Sequence, residues 1–271
     1  MKNNKKVSCK ICAHACDHAF DTPILKKYAA HYWHCPKCDF LFCENAAEWL
    51  AAAYKSSINI EDTGIMARNV NIANWLMPPL YKLFGNDGRY LDTAGGYGFL
   101  VRLMRDRGFD FYWNDPYTEN LVARGFESAY KKYDAVTAIE CFEHFADPVD
   151  ELKKMRKISD CIIFSQDIRP TPIPRPGEWD YYGLSHGQHI GFYTEKTLNV
   201  MAKKIGLRYV RRDNMHFFCR PRAAKKLDEL EKTLADPAAA QSFFQNMNQE
   251  ITPKTQADFQ KMSAQRMKAN D

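Results

Sequence analysis

The chain has 271 residues, of which 45% are hydrophobic, and a formal net charge of +5 at pH 7. This length suits one full α/β domain with smaller attachments, and the hydrophobic content suffices for a packed core. No run of eighteen uninterrupted apolar residues occurs, so no membrane span is expected. The basic segment 1–6 lacks the apolar stretch of a signal peptide, and we therefore expect a cytoplasmic protein. Basic residues are dispersed among acidic ones, so nucleic acid is not the expected partner.

Residues 1–45 are predicted to form a small zinc-binding module. Six of the nine cysteines lie in this segment, and Cys9-x-x-Cys12 and Cys35-x-x-Cys38 supply four thiolates, enough for one tetrahedral zinc ion. Such an ion stabilises a segment that is too small for a core of its own. The alternative is that the cysteines are free, buried or redox-active. Four further residues could replace or supplement the predicted ligands: His14, Cys16, His34 and Cys43.

The next segment, 46–86, is predicted to be a helical lid or linker. Residues 46–54 are strong helix formers. A second helix is expected near Ile65–Leu76, and Pro78-Pro79 should interrupt it or start a further turn, because proline lacks a backbone N–H group.

Residues 87–221 alternate between apolar strands and helical segments, which predicts a mostly parallel sheet covered on both faces. Strands are expected at 90–93, 109–114, 135–139, 162–165, 207–211 and 216–219, with one more short strand at 125–127. Helices are expected at 99–107, 147–157 and 195–205. Only residues 212–215 separate the last two strands, so this pair should be antiparallel.

The most informative motif is Leu91-Asp92-Thr93-Ala94-Gly95-Gly96-Tyr97-Gly98, which indicates a strand, a glycine-rich turn and the start of a helix. Glycine has no Cβ and lets a ligand approach the backbone closely. The N-terminus of the helix offers free N–H groups and the positive end of a dipole. Asp115 follows the next strand, 23 residues after Asp92. At that place an acid can accept hydrogen bonds from ribose hydroxyls.

Together with Tyr133–Glu140 and Glu143–Pro148, these motifs resemble class I S-adenosylmethionine-dependent methyltransferases over residues 87–220. The resemblance implies a Rossmann-like, mostly parallel seven-stranded sheet whose last strand is antiparallel, beside a small zinc-ribbon-like N-terminal module and C-terminal helices. It also implies S-adenosylmethionine as the cofactor. One departure is Ala94, which stands where the family usually has its first loop glycine. The resemblance assigns cofactor binding to Asp92, Ala94, Gly95, Gly96, Gly98, Asp115, Pro116 and Glu140.

A long aromatic and proline-rich insert, 166–193, precedes the last predicted helix of the domain, and loops of this length are usually functional or disordered. A hydroxyl acceptor would benefit from a general base, and histidine has a suitable pKa. We predict His189 and His186 as the leading candidates, with the alternative that either one hydrogen-bonds the backbone to hold the insert. Asp167 and His144 are further candidates, although the resemblance implies that the pair Glu143 and His144 often stabilises the loop after the fourth strand.

A cysteine-pair module before such a domain resembles bacterial sugar methyltransferases of deoxysugar and surface-polysaccharide pathways. We therefore predict methylation, first of all of oxygen, on a sugar, a nucleotide-sugar or a related small polar metabolite in a glycan or natural-product pathway. The alternatives are a zinc-module RNA or protein methyltransferase, and a degenerate methyltransferase that serves as a zinc-dependent scaffold. The tail, 222–271, should form two or three helices that pack on the body or join two subunits as a homodimer.

Overall fold

The computed structural model describes residues 7–54, 58, 60 and 62–269. Within these ranges the chain forms two compact units. The first unit draws on residues 1–59, 139–157 and 163–218, and the second on residues 60–138, 158–162 and 219–271. In the described ranges, no helix is long and apolar enough to cross a membrane.

The strands and helices follow in chain order. The strands are β1 (Asp17–Ile24), β2 (Tyr28–His34), β3 (Leu41–Cys43), β4 (Arg89–Asp92), β5 (Asp110–Trp113), β6 (Ala135–Ala138), β7 (Cys161–Ser165), β8 (Gly191–Phe192), β9 (Arg208–Arg212) and β10 (Met215–Cys219). The α-helices are α1 (Leu50–Ala53), α2 (Ile65–Phe84), α3 (Phe99–Asp106), α4 (Pro148–Ile158), α5 (Glu195–Lys204), α6 (Pro221–Ala235), α7 (Pro237–Glu250) and α8 (Thr255–Ala269).

The large sheet has the strand order β5-β4-β6-β7-β10-β9. Strand β4 is parallel to both β5 and β6. Strands β9 and β10 are adjacent and are joined by Asp213 and Asn214 alone, and so short a connection makes them antiparallel. The predicted α/β class with a mostly parallel sheet is therefore confirmed.

The predicted number of seven strands is corrected to six, because the large sheet has six strands among the residues that the structure describes. The segment 125–127 contributes only an isolated parallel bridge between Trp113 and Glu127. The Glu127 carboxylate accepts hydrogen bonds from the Gly125 N–H and from the Asn120 side chain. These local bonds hold the segment as a loop, so its pairing with β5 ends after one residue.

The first unit contains a second, antiparallel sheet with the strand order β1-β2-β3-β8. Its strand β8 comes from the insert, more than a hundred residues after β3 in the sequence. The apolar core of this sheet also combines both segments, since Tyr32 and Trp49 pack in one buried cluster with Tyr182 and Phe192. The N-terminal module and the insert are thus parts of one structure.

The second unit contains α2, which runs without interruption through Pro78 and Pro79. The predicted break at these prolines is wrong. Each proline removes one helical N–H donor, but one face of α2 is buried, including Leu76, Leu80 and Leu83, and α2 packs against α3 and α6. This tertiary packing outweighs the local preference, as it commonly does for helix propensities.

The tail forms three helices, α6 to α8, in agreement with the two or three expected. Proline stands at the first position of α6 and α7, where its missing N–H costs nothing. Asp258 of α8 is buried and accepts hydrogen bonds from Arg105 at 2.7 and 2.8 Å and from Arg102 at 2.8 Å. The tail is therefore fastened to α3 within the second unit, while the homodimer stays a prediction.

Candidate functional site

The glycine-rich turn lies in the second unit between β4, which ends at Asp92, and α3. Gly96 and Gly98 have φ of +50° and +91°, in the left-handed region that favours glycine. A Cβ on Gly98 would lie 2.9 Å from Ala123 Cβ, so crowding also requires glycine there. Ala94 is not among the residues with positive φ, and this departure from the family's loop therefore causes no backbone strain.

Asp92 is the buried acid of this turn, with 2% of its surface exposed. One of its carboxylate oxygens accepts a hydrogen bond of 2.7 Å from the Thr137 hydroxyl. Burial raises the pKa of Asp92 to about 7; the Thr137 hydrogen bond opposes this rise, and the charge of Asp115 adds to it. Both the neutral and the ionised carboxyl group are therefore populated near pH 7.

Asp115 fastens the turn to the segment that follows β5. One oxygen accepts the Gly96 N–H at 3.0 Å, and the other accepts the backbone N–H groups of Tyr117 and Thr118 at 2.8 and 3.0 Å. The Trp113 indole N–H donates to the Gly96 carbonyl at 2.7 Å. A carboxylate has about four lone-pair sites, so Asp115 keeps acceptor capacity for a ligand while it holds this turn. Its neighbour Pro116 shares the loop.

Glu140 lies two residues after β6 and belongs to the first unit. Its φ is +49°, and a non-glycine residue in this region usually marks strain or function. Its backbone N–H donates to the Ser165 hydroxyl at 2.9 Å, and that hydroxyl donates to the Glu140 carboxylate at 2.5 Å. These two bonds fix both the backbone and the side chain.

The first unit also brings together the three predicted histidines, around a buried acid. The ring centroid of His189 lies 5.1 Å from that of His144 and 4.8 Å from that of His186. Glu143, with 1% of its surface exposed, has its Oε1 at 3.8 Å from His144 Nε2 and at 3.9 Å from His189 Nε2. Glu143 is not among the residues predicted to be catalytic; the resemblance implies only that it stabilises a loop together with His144. Alternation of apolar and polar residues does not reveal that an acid next to a histidine is buried. Asp167, also in this unit, is exposed by surface area, but partial desolvation of its carboxyl group raises its pKa.

The hydrogen bonds of the histidines distinguish their chemistry. His189 Nδ1 lies 2.6 Å from the Tyr181 carbonyl oxygen, which can only accept, so Nδ1 carries the proton and Nε2 offers a lone pair. His144 Nδ1 lies 2.6 Å from the Tyr54 hydroxyl. His186 Nδ1 accepts the Gln188 N–H at 3.2 Å, which places the proton of the neutral His186 ring on Nε2. His186 therefore holds the insert, and His189 has the freer basic nitrogen.

Burial dominates the electrostatics of this group. It lowers the pKa of His144 to about 3 and that of His189 to about 4, and the neighbouring histidines lower both further. Burial also raises the pKa of Glu143 to about 8, to which the charge of Glu140 contributes. The two imidazole rings are accordingly neutral near pH 7.

Four cysteines of the first unit form a group that can hold a metal ion. The Sγ atoms of Cys9, Cys12, Cys35 and Cys38 all lie within 4.8 Å of one another. The Cys9–Cys38 and Cys12–Cys35 sulfur pairs are each 3.4 Å apart, close to the ~3.8 Å between thiolates that are ~2.3 Å from a shared tetrahedral zinc. The Ile11 and Cys38 backbone N–H groups donate to sulfur. The donor set fits zinc.

The four residues left open as alternative ligands lie outside this group. The Cys16 thiol donates to the His14 carbonyl at 3.7 Å. His34 Nε2 lies 2.7 Å from an Asp39 carboxylate oxygen. Cys43 is part of the buried core of the small sheet.

Comparison with known proteins decides the family. Residues 68–212, more than half of the chain, match a family model described as a methyltransferase domain. The chain belongs to this methyltransferase family. The expected resemblance and the expected enzyme class, an S-adenosylmethionine-dependent methyltransferase, are thus confirmed. No curated protein matches the sequence of this methyltransferase.

Several solved methyltransferase structures are similar to this methyltransferase. One acts in calicheamicin biosynthesis and was solved with S-adenosylhomocysteine: the identity is 17%, the match covers 64% of this chain and 58% of that one, and the TM-score is 0.44. The magnesium protoporphyrin IX methyltransferase from Synechocystis PCC 6803 has 14% identity, 65% and 93% coverage and a TM-score of 0.43. The 1,6-didemethyltoxoflavin-N1-methyltransferase from Burkholderia thailandensis has 13% identity, 74% and 96% coverage and a TM-score of 0.45. The methyltransferase described here thus spans 58% of the calicheamicin enzyme's length.

Proposed function

We propose that this methyltransferase transfers the methyl group of S-adenosylmethionine to a hydroxyl of a small polar acceptor, namely a sugar or nucleotide-sugar of a glycan or natural-product pathway. The observation that carries the proposal is the glycine turn. It directly follows the buried acid Asp92, and its Gly96 N–H donates a hydrogen bond to a second acid, Asp115. When bound, the cofactor supplies an electrophilic methyl carbon, so the protein mainly has to orient the acceptor oxygen and receive its proton.

The proposed roles of the donor residues follow from their chemistry. Asp115 accepts hydrogen bonds from the ribose hydroxyls, and ionised Asp92 attracts the ammonium group of the methionine part. Gly96 and Gly98 keep the backbone open to close approach, and Glu140 is held rigid for a role near the methionine part or the acceptor entrance. We also assign contacts with the cofactor to Ala94, Gly95 and Pro116.

The acceptor side is assigned to the histidine group formed by His144 and by His186 and His189 of the insert. Neutral imidazoles can receive the proton of a hydroxyl as the oxygen attacks. His189 is the best arranged of the three, because its Nδ1–H is fixed on the Tyr181 carbonyl and its Nε2 is unprotonated. His144 is the second candidate, and we assign His186 to the support of the insert. A small acceptor is favoured over RNA because basic residues are dispersed along the chain.

We further propose that Cys9, Cys12, Cys35 and Cys38 hold one structural zinc ion. Four thiolates fill the tetrahedral positions of the ion and leave no site for chemistry. The role of the ion is to stabilise the small sheet, which also receives β8 from the insert. Elemental analysis of the purified protein should find zinc bound by these cysteines, and none would contradict the assignment.

The function is tested by incubating the protein with labelled S-adenosylmethionine and a panel of sugars, nucleotide-sugars, RNA and protein acceptors. We expect label in a sugar-class acceptor, and loss of this activity in Asp115→Ala. The matched control is Asp87→Asn, because Asp87 is an exposed acid that precedes the opposite end of β4. Label in RNA or protein alone would overturn the acceptor class, and absence of both cofactor binding and transfer would favour the scaffold alternative.

A further inference from the structure

Glu143 is a buried acid that the methyl-transfer proposal does not use. Neither of its carboxylate oxygens has a partner at full hydrogen-bond geometry in the part of the chain that the structure describes. The Tyr181 hydroxyl, which also lacks such a partner, is close enough to the Glu143 carboxylate to lower its pKa. A buried carboxylate without partners costs free energy, and proteins compensate for such a group by protonating it or by supplying a counter-charge or a metal ion. The surroundings of Glu143 therefore require an explanation.

Two histidines direct a ring nitrogen towards this carboxylate. Nε2 of His144 and Nε2 of His189 lie 3.8 and 3.9 Å from Glu143 Oε1, and one ligand atom from each of the three residues lies within 4.8 Å of the others. In His189 the bond from Nδ1–H to the Tyr181 carbonyl leaves a lone pair on Nε2. When Glu143 is ionised, a lone pair and a carboxylate oxygen, both acceptors, thus face each other, and a metal ion that takes the place of the carboxyl proton would satisfy both.

We propose that Glu143, His144 and His189 bind one divalent transition-metal ion, separate from the four-cysteine group. Two imidazoles and one carboxylate are ligands that suit zinc, iron, cobalt or nickel, whereas magnesium and calcium prefer sites built of oxygen. The observed 3.8 and 3.9 Å separations need to shorten by a few tenths of an ångström, because ligands ~2.0–2.2 Å from a tetrahedral ion lie ~3.3–3.6 Å apart.

The second ring nitrogen of each histidine supports this assignment. Ligating histidines usually bind an oxygen through their other nitrogen, which fixes the tautomer and orients the ring. His189 has the Tyr181 carbonyl at 2.6 Å, and His144 has the Tyr54 hydroxyl at 2.6 Å. His186, the third histidine, has its Nδ1 occupied by the Gln188 N–H and does not belong to the ligand group.

Three protein ligands leave a coordination position open, as in catalytic metal sites. An acceptor hydroxyl bound there would have a lowered pKa, a consequence that rests on the proposed function. The ion would then take over the task of the general base: the lowered pKa lets the hydroxyl release its proton to water. His189 would serve as a ligand, because its Nε2 cannot bind an ion and a proton at once. Metal binding itself does not depend on the identity of the acceptor.

The experiment uses the full-length protein, washed with a chelator mild enough to leave zinc in the four-cysteine group, and titrated with Co²⁺. Cobalt at two nitrogens and one oxygen gives weak visible bands without intense sulfur-to-cobalt charge transfer. We expect one equivalent of Co²⁺ with this spectrum. His189→Ala and Glu143→Gln should each weaken Co²⁺ binding by at least about 10- to 100-fold. That is the usual loss when a residue that only supports a metal ligand is removed, and these variants remove a ligand itself.

The matched control is His186→Gln, which alters the third ring of the group and should bind Co²⁺ normally. X-ray absorption of the cobalt-loaded wild type, which requires no variant to fold, should show nitrogen and oxygen neighbours. The proposal is overturned if the wild type binds no additional Co²⁺, or if Glu143→Gln and His189→Ala bind it as tightly as the wild type. S-adenosylhomocysteine binding is measured on the same samples, so a failure of the metal site and a failure of the methyltransferase proposal are distinguishable.

Discussion

Binding of S-adenosylhomocysteine should become tighter as the pH rises from 6 to 7, through ionisation of Asp92. Burial raises the pKa of Asp92 to about 7, and we propose that its ionised form attracts the ligand's ammonium group. The ionised fraction is then about 0.1 at pH 6 and about 0.5 at pH 7. Because apparent affinity scales with the competent fraction, the dissociation constant should fall about fivefold over this pH unit.

Thr137→Val perturbs this equilibrium in a defined direction. The Thr137 hydroxyl donates to the Asp92 carboxylate at 2.7 Å, and a hydrogen bond to a charged group contributes about 1.5–3 kcal/mol. Its loss disfavours the ionised form and should move the midpoint of the binding curve upwards by about one to two pH units. At pH 7 the variant should bind the ligand about 5- to 50-fold more weakly than the wild type.

Isothermal titration calorimetry at several pH values between 6 and 7.5 measures both effects. Below this upper limit the ligand's amino group stays mostly protonated, since α-amino groups have pKa values of about 7.7–8.0. Titrations in two buffers of different ionisation enthalpy should show release of about 0.9 proton at pH 6 and about 0.5 at pH 7. Asp92→Asn is the control and should bind weakly at every pH. An equal affinity of the wild type at pH 6 and pH 7 would show that ionisation of Asp92 does not control binding.

Three further predictions concern metal binding and stability. Cys38→Ser should lose the zinc of the four-cysteine group and lower the melting temperature, whereas Cys16→Ser should keep both; equal zinc contents would contradict the ligand assignment. Asp258→Asn leaves the buried Arg105 with fewer partners and should lower the free energy of unfolding in urea by about 2–4 kcal/mol; a change below about 0.5 kcal/mol would refute this. Burial lowers the pKa of His216 to about 4, so between about pH 6.5 and 4 the unfolded state binds the extra proton and the contribution of His216 to stability falls as the pH falls. Its ring resonances should not titrate between pH 7.5 and 5, and a midpoint above pH 6 would contradict the buried neutral ring.

The glycine turn could be predicted from the sequence because its determinants are local. Gly96 and Gly98 occupy backbone conformations that a side chain disfavours, so the requirement is visible in the residue types themselves. The same holds for the hairpin of β9 and β10, where the short connection fixes the direction of the pair. Patterns of this kind depend on neighbours in the chain rather than on the rest of the fold.

Pro78 and Pro79 show where local rules fail. They predict a break in the helix, yet α2 continues to Phe84 because its buried face packs against α3 and α6. The pairing of β3 with β8 is a second example. It joins segments that are far apart in the sequence, and the two residues of β8 carry no strand pattern long enough to be recognised.

The candidate acceptor site could be predicted from the sequence only in part. The histidines of the insert could be selected from residue type alone, but their tautomers depend on the Tyr181 carbonyl and the Gln188 N–H, which only the folded chain brings to them. The burial of Glu143 likewise depends on packing by distant segments. Residue type therefore indicates the chemistry, and tertiary structure determines which atom can perform it.

The central claim is that this chain binds the methyl donor through its glycine turn and Asp115. Calorimetric titration of the wild type with S-adenosylhomocysteine at pH 7.5 tests it most directly, with Asp115→Ala and Asp87→Asn alongside. One molecule should bind per chain in the wild type and in Asp87→Asn, and Asp115→Ala should show a severe loss of affinity. Absence of binding to the wild type, or undiminished binding to Asp115→Ala, would contradict it.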